Sequence, residues 1–295
     1  MSTETLTACP VCGSSQLSHF LTCKDYLVSQ SDFTIQECTE CSFRFTNPRP
    51  DQHSIGQFYK SEQYVSHNDE SKGFINFLYR TVRQYTLKGK VNLINDLNKG
   101  TGSILDIGCG TGSFLEACSK RGWVIQGMEP DSDARKIASE RLNSRIGESL
   151  QEFDPDKKYD VITLWHVLEH VAELDQVAYK LKQLLKPEGT LLIAVPNNVS
   201  ADAIHYKQYW AAYDVPRHLH HFTPATIKRL MATHSLTLKD QQPMYFDSFY
   251  IAMLSTKYRD GRTNLVESFI QGLKSNLSAR NSGNYSSVIY IFRHQ

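Results

Sequence analysis

Three groups of residues have the types and spacing to do chemistry. Near the start, Cys9-Pro-Val-Cys12 and Cys38-Thr-Glu-Cys41 form two C-x-x-C knuckles separated by 25 residues. Each knuckle sets two thiolates on one side of a tight turn, so the pair offers the tetrahedral four-sulfur set that zinc prefers. Four cysteines leave no open coordination position, and Cys9, Cys12, Cys38 and Cys41 therefore read as ligands of a structural zinc; two disulfides or a redox dithiol are the competing readings. In mid-chain, Leu105-Asp106-Ile-Gly108-Cys109-Gly110-Thr-Gly112 closes a short apolar run with a glycine turn. A Cβ at Gly108, Gly110 or Gly112 would crowd a ligand laid against backbone N–H groups and a helix N-terminus. The third group is His166, Glu169 and His170, with His218 and His221 further on. Imidazole titrates near neutrality and suits the removal of a proton from an acceptor.

Spacing does not choose among His166, His170, His218 and His221, and each also reads as a structural or surface histidine. His166-x-x-Glu169-His170 formally matches an inverted zinc-protease motif, but it starts at a strand end and not within a helix. Arg217 has the fork to bind a carboxylate or phosphate, or to make a structural salt bridge.

Alternating strands and helices must position these groups. Ile104–Ile107, Trp123–Glu129, a brief strand near Arg145–Gly147, Tyr159–Trp165 and Thr190–Val195 read as strands, with further strands at Leu236–Gln241 and Ser287–Phe292. The fold expected is α/β, a doubly wound, Rossmann-like, parallel sheet of seven strands with an N-terminal four-cysteine zinc ribbon and a helical lid. The ribbon occupies 1–47, with strands at Phe33–Glu37 and Ser42–Thr46. Asn47-Pro-Arg-Pro50 breaks the chain. A helical linker or lid fills 48–100, with Phe74, Phe77, Leu78, Val82, Tyr85, Val91, Ile94 and Leu97 as its buried face and an aromatic loop from Tyr59 to His67 that includes Tyr64. The domain from 101 to 295 carries insertions at about 197–222 and 246–284. Thr223 and Pro224 restart a helix as cap and first-turn residue.

Bulk properties narrow the function. The 295 residues are 40% hydrophobic and 21% charged, near globular averages, and the net charge of +1 gives no global field for nucleic acid or an anionic membrane. The N-terminus lacks the pattern of a signal peptide and no run reaches membrane-spanning length, so a cytoplasmic protein is expected.

Asp106 with its glycine turn, Glu129 seventeen residues past Gly112, and Lys186-Pro-Glu-Gly189 before the fifth strand form an ordered set. That set resembles the class I S-adenosylmethionine-dependent methyltransferases over roughly residues 101–295. The interval between the last two glycines is two positions, shorter than in the dinucleotide fingerprint, which favours the methyl donor over NAD. The resemblance implies that Asp106 and Gly108–Gly112, with Cys109, hold the methionine moiety of S-adenosylmethionine. It implies that Glu129, followed by Pro130, holds the ribose hydroxyls, and that Ser149 and its neighbours hold the adenine. Trp165 and His166 would line the space between donor and acceptor. The Tyr59–His67 loop, with Tyr64 as a candidate donor contact, reads from its own residues either as a surface connection or as a lid over the ligand at the glycine turn. The fused cysteine module is similar to that of bacterial methyltransferases acting on sugars and small biosynthetic intermediates, without room for the extra C-terminal domain of the zinc-containing sugar C-methyltransferases. Glu169-His170 looks like the post-strand motif of ubiquinone-type O-methyltransferases. There a further glutamate precedes the pair and the motif can bind a divalent metal; here that position is His166. The expected function is methyl transfer from S-adenosylmethionine to a small-molecule acceptor, with O-methylation slightly ahead of C-methylation. The alternatives are a methyltransferase whose ribbon recruits RNA or protein, against which only Lys24 and Arg44 supply strong bases in 1–47, and a non-catalytic donor-binding scaffold. Neither a nucleic-acid nor a membrane partner is expected.

Overall fold

The cysteine knuckles fold into a small antiparallel sheet. In the computed structural model, which describes residues 2–59 and 74–295, β1 (Thr3–Glu4) pairs with β5 (Arg49–Pro50), and β2 (Leu17–Lys24), β3 (Asp32–Cys38) and β4 (Arg44–Thr46) form a meander. β2 lies outside the expected strands. A register shift between His19 and Leu21 disrupts its alternation, so Phe20 and Leu21 stand adjacent and the period of two is lost. The fourth member of this sheet comes from far along the chain: β10 (His220–His221) pairs antiparallel with β4, His220 opposite Phe45 and His221 opposite Arg44.

The central sheet contains β6 (Ser103–Ile107), β7 (Val124–Met128), β8 (Tyr159–Trp165), β9 (Leu185–Pro196), β11 (Leu236–Pro243) and β12 (Ser287–His294), in the order β11-β12-β9-β8-β6-β7. β7, β6, β8 and β9 are parallel, whereas β12 runs antiparallel to β9 and β11 antiparallel to β12, so the sheet is mixed and not wholly parallel. The reason lies in the connection. A helical pair delivers the chain to Ser287 opposite Pro196, at the C-terminal end of β9, and from there β12 can only run back. The expected third strand, near Arg145–Gly147, shrinks to one parallel bridge, Met128 to Gly147, which leaves six strands in this sheet. The rings of Phe153 press on Gly147, where an added Cβ would meet them at 2.8 Å.

Strand parity sorts side chains onto two faces. Leu105, Ile107, Ile162, Leu164, Leu191, Ile193 and Val195 face α4 (Leu174–Leu184) and α6 (Pro224–Thr233), and the same core takes in Cys9, Cys38, Phe43 and Phe45 of the ribbon. Ile104, Val161, Leu192 and Ala194 face α1 (Phe74–Asn98) and α2 (Ser113–Ser119). On α1, Val91 and Ile94 are buried as the helical spacing requires, but Tyr85 is 68% exposed and lies off that face. Among the remaining helices, α3 (Ser132–Leu142) follows β7 and α5 (Ala201–Tyr206) follows β9. The helical pair is α7 (Asp247–Asp260) and α8 (Leu265–Ser282). The cap at Thr223 is a full capping box with Thr226, and Pro224 sits in the first turn.

Candidate functional site

The glycine turn bends the chain from β6 into α2 across the end of β7. Gly108, Gly110 and Gly112 all have positive φ, and the Gly108 and Cys109 N–H groups both donate to Met128 O. Two of these glycines have distinct reasons. A Cβ on Gly108 would come within 2.5 Å of Val167, which places the glycine turn directly against the turn that follows β8. A Cβ on Gly110 would meet nothing within 4 Å, because this residue opens onto a cavity of about 330 Å³. Thr86, Leu87 and Lys90 of α1 line that cavity opposite Cys109, Thr111, Ser113 and Phe114.

Behind the turn, parity puts Asp106, Thr163 and Trp165 on the α1 face of the sheet. Thr163 Oγ1 donates to Asp106 Oδ1 at 2.6 Å, and burial raises the Asp106 carboxyl to about 7 despite that bond and the nearby Lys90. Glu129 accepts from Gly110 N at 2.8 Å and from Asp131 N at 3.0 Å, which locks the turn to the end of β7. Each carboxylate oxygen retains a lone-pair site beyond these bonds. Lys90 Nζ lies 4.1 Å from the centre of the Trp165 ring, which also forms a T-shaped pair with Phe114; burial lowers the Lys90 ammonium below the usual lysine value. The Trp165 Nε1 has no hydrogen-bond partner among the described residues.

Strand β8 ends in a compact turn, Leu168–His170, that carries the third group. His166 has φ +57°, an uncommon conformation for a side-chain-bearing residue that turns its ring between two carboxylates. Its Nδ1 lies 3.2 Å from Glu169 Oε1 and its Nε2 3.2 Å from Asp247 Oδ2 at the start of α7. Burial alone would depress its pKa, but the bonds to Asp247 and Glu169 raise it to about 9. His170 is driven the other way, to about 4, by burial and by His218. The His170 Nδ1 is 3.0 Å from Arg217 O and 3.0 Å from the Tyr59 hydroxyl; the His218 Nδ1 is 2.8 Å from Ala212 O. A carbonyl can only accept, so both rings carry a proton on Nδ1 and keep Nε2 as the basic atom. Glu169, His170 and His218 each bring a ligand atom within 4.8 Å of the other two, and the buried Glu169 Oε2 has no partner among the described residues.

His221 is set apart from that trio. It is buried on β10, with Nε2 3.2 Å from Thr46 Oγ1, and burial holds it well below the ordinary histidine value. Arg217 is 1% exposed and spent on structure: its guanidinium bonds Asp214 at 2.6 Å, Asp25 at 3.1 Å and Phe58 O at 3.1 Å. Of the residues expected at the donor, Gly108, Cys109 and Gly110 line the cavity, Gly112 caps α2, Glu129 holds the turn through Gly110 N, and Asp106 is buried near the end of β6 and bonded to Thr163. Pro130 is exposed, Ser149 is half-buried beyond it, and Tyr64 lies outside the described residues, as does most of the expected lid loop. Lys90 and Asp247 are functional candidates that sequence reasoning missed. Lys90 left a signal, a lone cation inside the apolar stripe of Leu87, Val91 and Ile94; Asp247 left none, because its partner is distant in the chain.

The four ribbon thiols converge. Cys9 and Cys41 Sγ are 3.6 Å apart and Cys12 and Cys38 Sγ 3.5 Å, with all four within 4.8 Å of one another. A tetrahedral zinc with Zn–S bonds of about 2.3 Å needs sulfur atoms roughly 3.8 Å apart, so the donor set fits that ion.

A family model described as a methyltransferase domain matches residues 79–241, more than half of the chain. The ubiquinone biosynthesis O-methyltransferase of Rickettsia prowazekii is 26% identical over 200 residues, covering 62% of this chain and 78% of that protein. Its counterpart in Rickettsia typhi is 25% identical over 205 residues, covering 64% and 82%. Among solved structures, magnesium protoporphyrin IX methyltransferase from Synechocystis PCC 6803 with bound SAH matches with a TM-score of 0.54 at 15% identity, covering 83% of this chain and 100% of that one. Mycolic acid cyclopropane synthase CmaA1 matches at 0.50 and 14%, covering 71% and 84%. At these identities the two structures speak for the fold.

Proposed function

The chain belongs to the methyltransferase-domain family, and from that premise we propose that it moves a methyl group from S-adenosylmethionine to the oxygen of a small-molecule acceptor. The observation that carries the reading is the contact between two turns: the glycine turn opens onto a cavity at Gly110 and abuts, at Gly108, the turn bearing Glu169 and His170. When bound, S-adenosylmethionine supplies an electrophilic methyl on a sulfonium. The glycine turn would hold its methionine moiety, with Lys90 facing the carboxylate across the cavity, and Glu129 would receive the ribose hydroxyls at its remaining lone pairs. Asp106 and Thr163 keep the floor rigid.

Displacement at a sulfonium needs alignment and, for a hydroxyl acceptor, removal of one proton. His166 is already protonated at neutral pH and both its nitrogens are engaged, so it serves as a fixed cation that joins Glu169 to Asp247. His218, with its proton held on Nδ1, offers Nε2 to the acceptor proton; the Glu169 carboxylate beside it stabilises the imidazolium that results. Glu169, His170 and His218 are also a donor set for a divalent cation. The ribbon cysteines are assigned a structural zinc. Its module pairs with β10 inside the same chain, which favours a supporting role over recruitment of RNA or protein.

Two measurements test this reading. Titration calorimetry should detect S-adenosylmethionine binding that weakens by about 1–3 kcal/mol in Glu129→Ala, the cost of losing charge-assisted hydrogen bonds; equal affinity in the variant removes Glu129 from the donor site. Metal analysis of the purified protein should find one equivalent of zinc, lost together with the ribbon's fold in the Cys9→Ser, Cys38→Ser double variant. A stable, metal-free protein would refute the zinc.

A further inference from the structure

The segment 217–221 lies between two others. On one side is the turn after β8: Leu219 N donates to Glu169 O at 2.8 Å, Arg217 O receives His170 Nδ1, and His220 Nε2 donates to Val171 O at 2.8 Å. On the other side is strand β4, three residues beyond the last zinc-type cysteine. There Thr46 N donates to Leu219 O at 3.0 Å, and the Thr46 hydroxyl donates to His218 O at 2.8 Å. That hydroxyl has one hydrogen, already given to the His218 carbonyl. Its 3.2 Å contact with His221 must therefore run the other way, with His221 Nε2–H as donor. Thr46 is fully buried, and so is Phe43 just before β4, whose ring stacks on His220 of β10 and tilts against Phe222 just after it.

We propose that Thr46 is a positioning residue, through which the cysteine ribbon holds the 217–221 backbone so that His218 stands against Glu169 and His170. The ribbon is then a part of the acceptor site and not an appendage to it. This rests on the reading of His218 and its neighbours as the acceptor side of methyl transfer. A buried hydroxyl that both donates and accepts is replaced in shape but not in function by valine, which leaves the His218 carbonyl and the His221 N–H without partners. Serine keeps both bonds.

The test uses the full-length protein labelled with ¹⁵N at histidine, in the wild type, Thr46→Val and Thr46→Ser. Ring spectra should show His221 protonated at Nε2 and His170 and His218 at Nδ1 in the wild type and in Thr46→Ser. In Thr46→Val the His221 and His218 resonances should both move, while calorimetry with S-adenosylhomocysteine as the probe of the donor cavity stays within about twofold, since no donor-side residue is touched. Ring resonances unchanged in Thr46→Val overturn the proposal, as does a Thr46→Ser spectrum displaced as far as that of Thr46→Val. If Thr46→Val does not fold, Thr46→Ala takes its place under the same criteria. Failure of the wild type to bind S-adenosylhomocysteine would count against the donor reading alone, because the ring spectra do not depend on it.

Discussion

His166 and His170 stand four residues apart and are held in opposite protonation states. His166 is pinned between Glu169 and Asp247 as an imidazolium with a pKa of about 9, while burial keeps His170 neutral down to about 4. The consequences for stability have opposite signs. The unfolded chain binds a proton at position 170 below the ordinary value of 6.5, and the native protein refuses it until about 4. Stability therefore falls as pH drops through that window, by up to about 3 kcal/mol for this group. His166 contributes stability that is complete below 6.5 and is lost as pH rises through about 9. Urea midpoints measured against pH should peak near 6.5, where both contributions are complete, and His170→Asn should flatten the acid limb; an acid limb of unchanged slope would show that His170 is not its source. The sequence made all four histidines visible as candidates and could not rank them. Rank depends on Asp247, Ala212 O and Arg217 O, which the fold alone brings to the rings.

At the scale of elements, legibility followed the regularity of the pattern. Strand β8 was found with its true ends because a strand buried on both faces reads as one apolar run. Strand β2 was missed where a bulge broke the alternation, and the expected third strand collapsed to a bridge under Phe153. The pairing of β10 with β4 was out of reach, since two residues of strand carry no period. That junction is fastened by Arg217, which is 1% exposed and bridges Asp214 to Asp25, itself fully buried in the ribbon. Removing the cation leaves the fully buried Asp25 and the part-buried Asp214 without their counter-charge, so Arg217→Leu should destabilise the protein by about 3–5 kcal/mol in urea unfolding. A loss below about 1 kcal/mol would mean that the ribbon is held by its apolar contacts alone.

In the whole molecule, one sheet carries the Gly110 cavity on its α1 face and, beyond the C-terminal end of β8, the Glu169–His170 turn, which the 217–221 segment links to the ribbon. Asp106 and the glycine spacing made the turn at the cavity legible, because a tight backbone turn leaves glycines at set intervals. The cluster around Glu169, His170 and His218 draws on β4, β8, β10 and α7, four elements distant in the chain, and none alone bears its signature. Among the described residues no helix is long and apolar enough to cross a membrane. The central claim, methyl transfer to a small molecule, is tested most directly by incubating the protein with methyl-labelled S-adenosylmethionine and a pool of low-molecular-weight metabolites, followed by mass spectrometry. A labelled small molecule should form with an equal amount of S-adenosylhomocysteine, both lost in Gly110→Val and the label sharply reduced in His218→Asn. Unlabelled metabolites and no S-adenosylhomocysteine, from a protein that binds the donor, would contradict it.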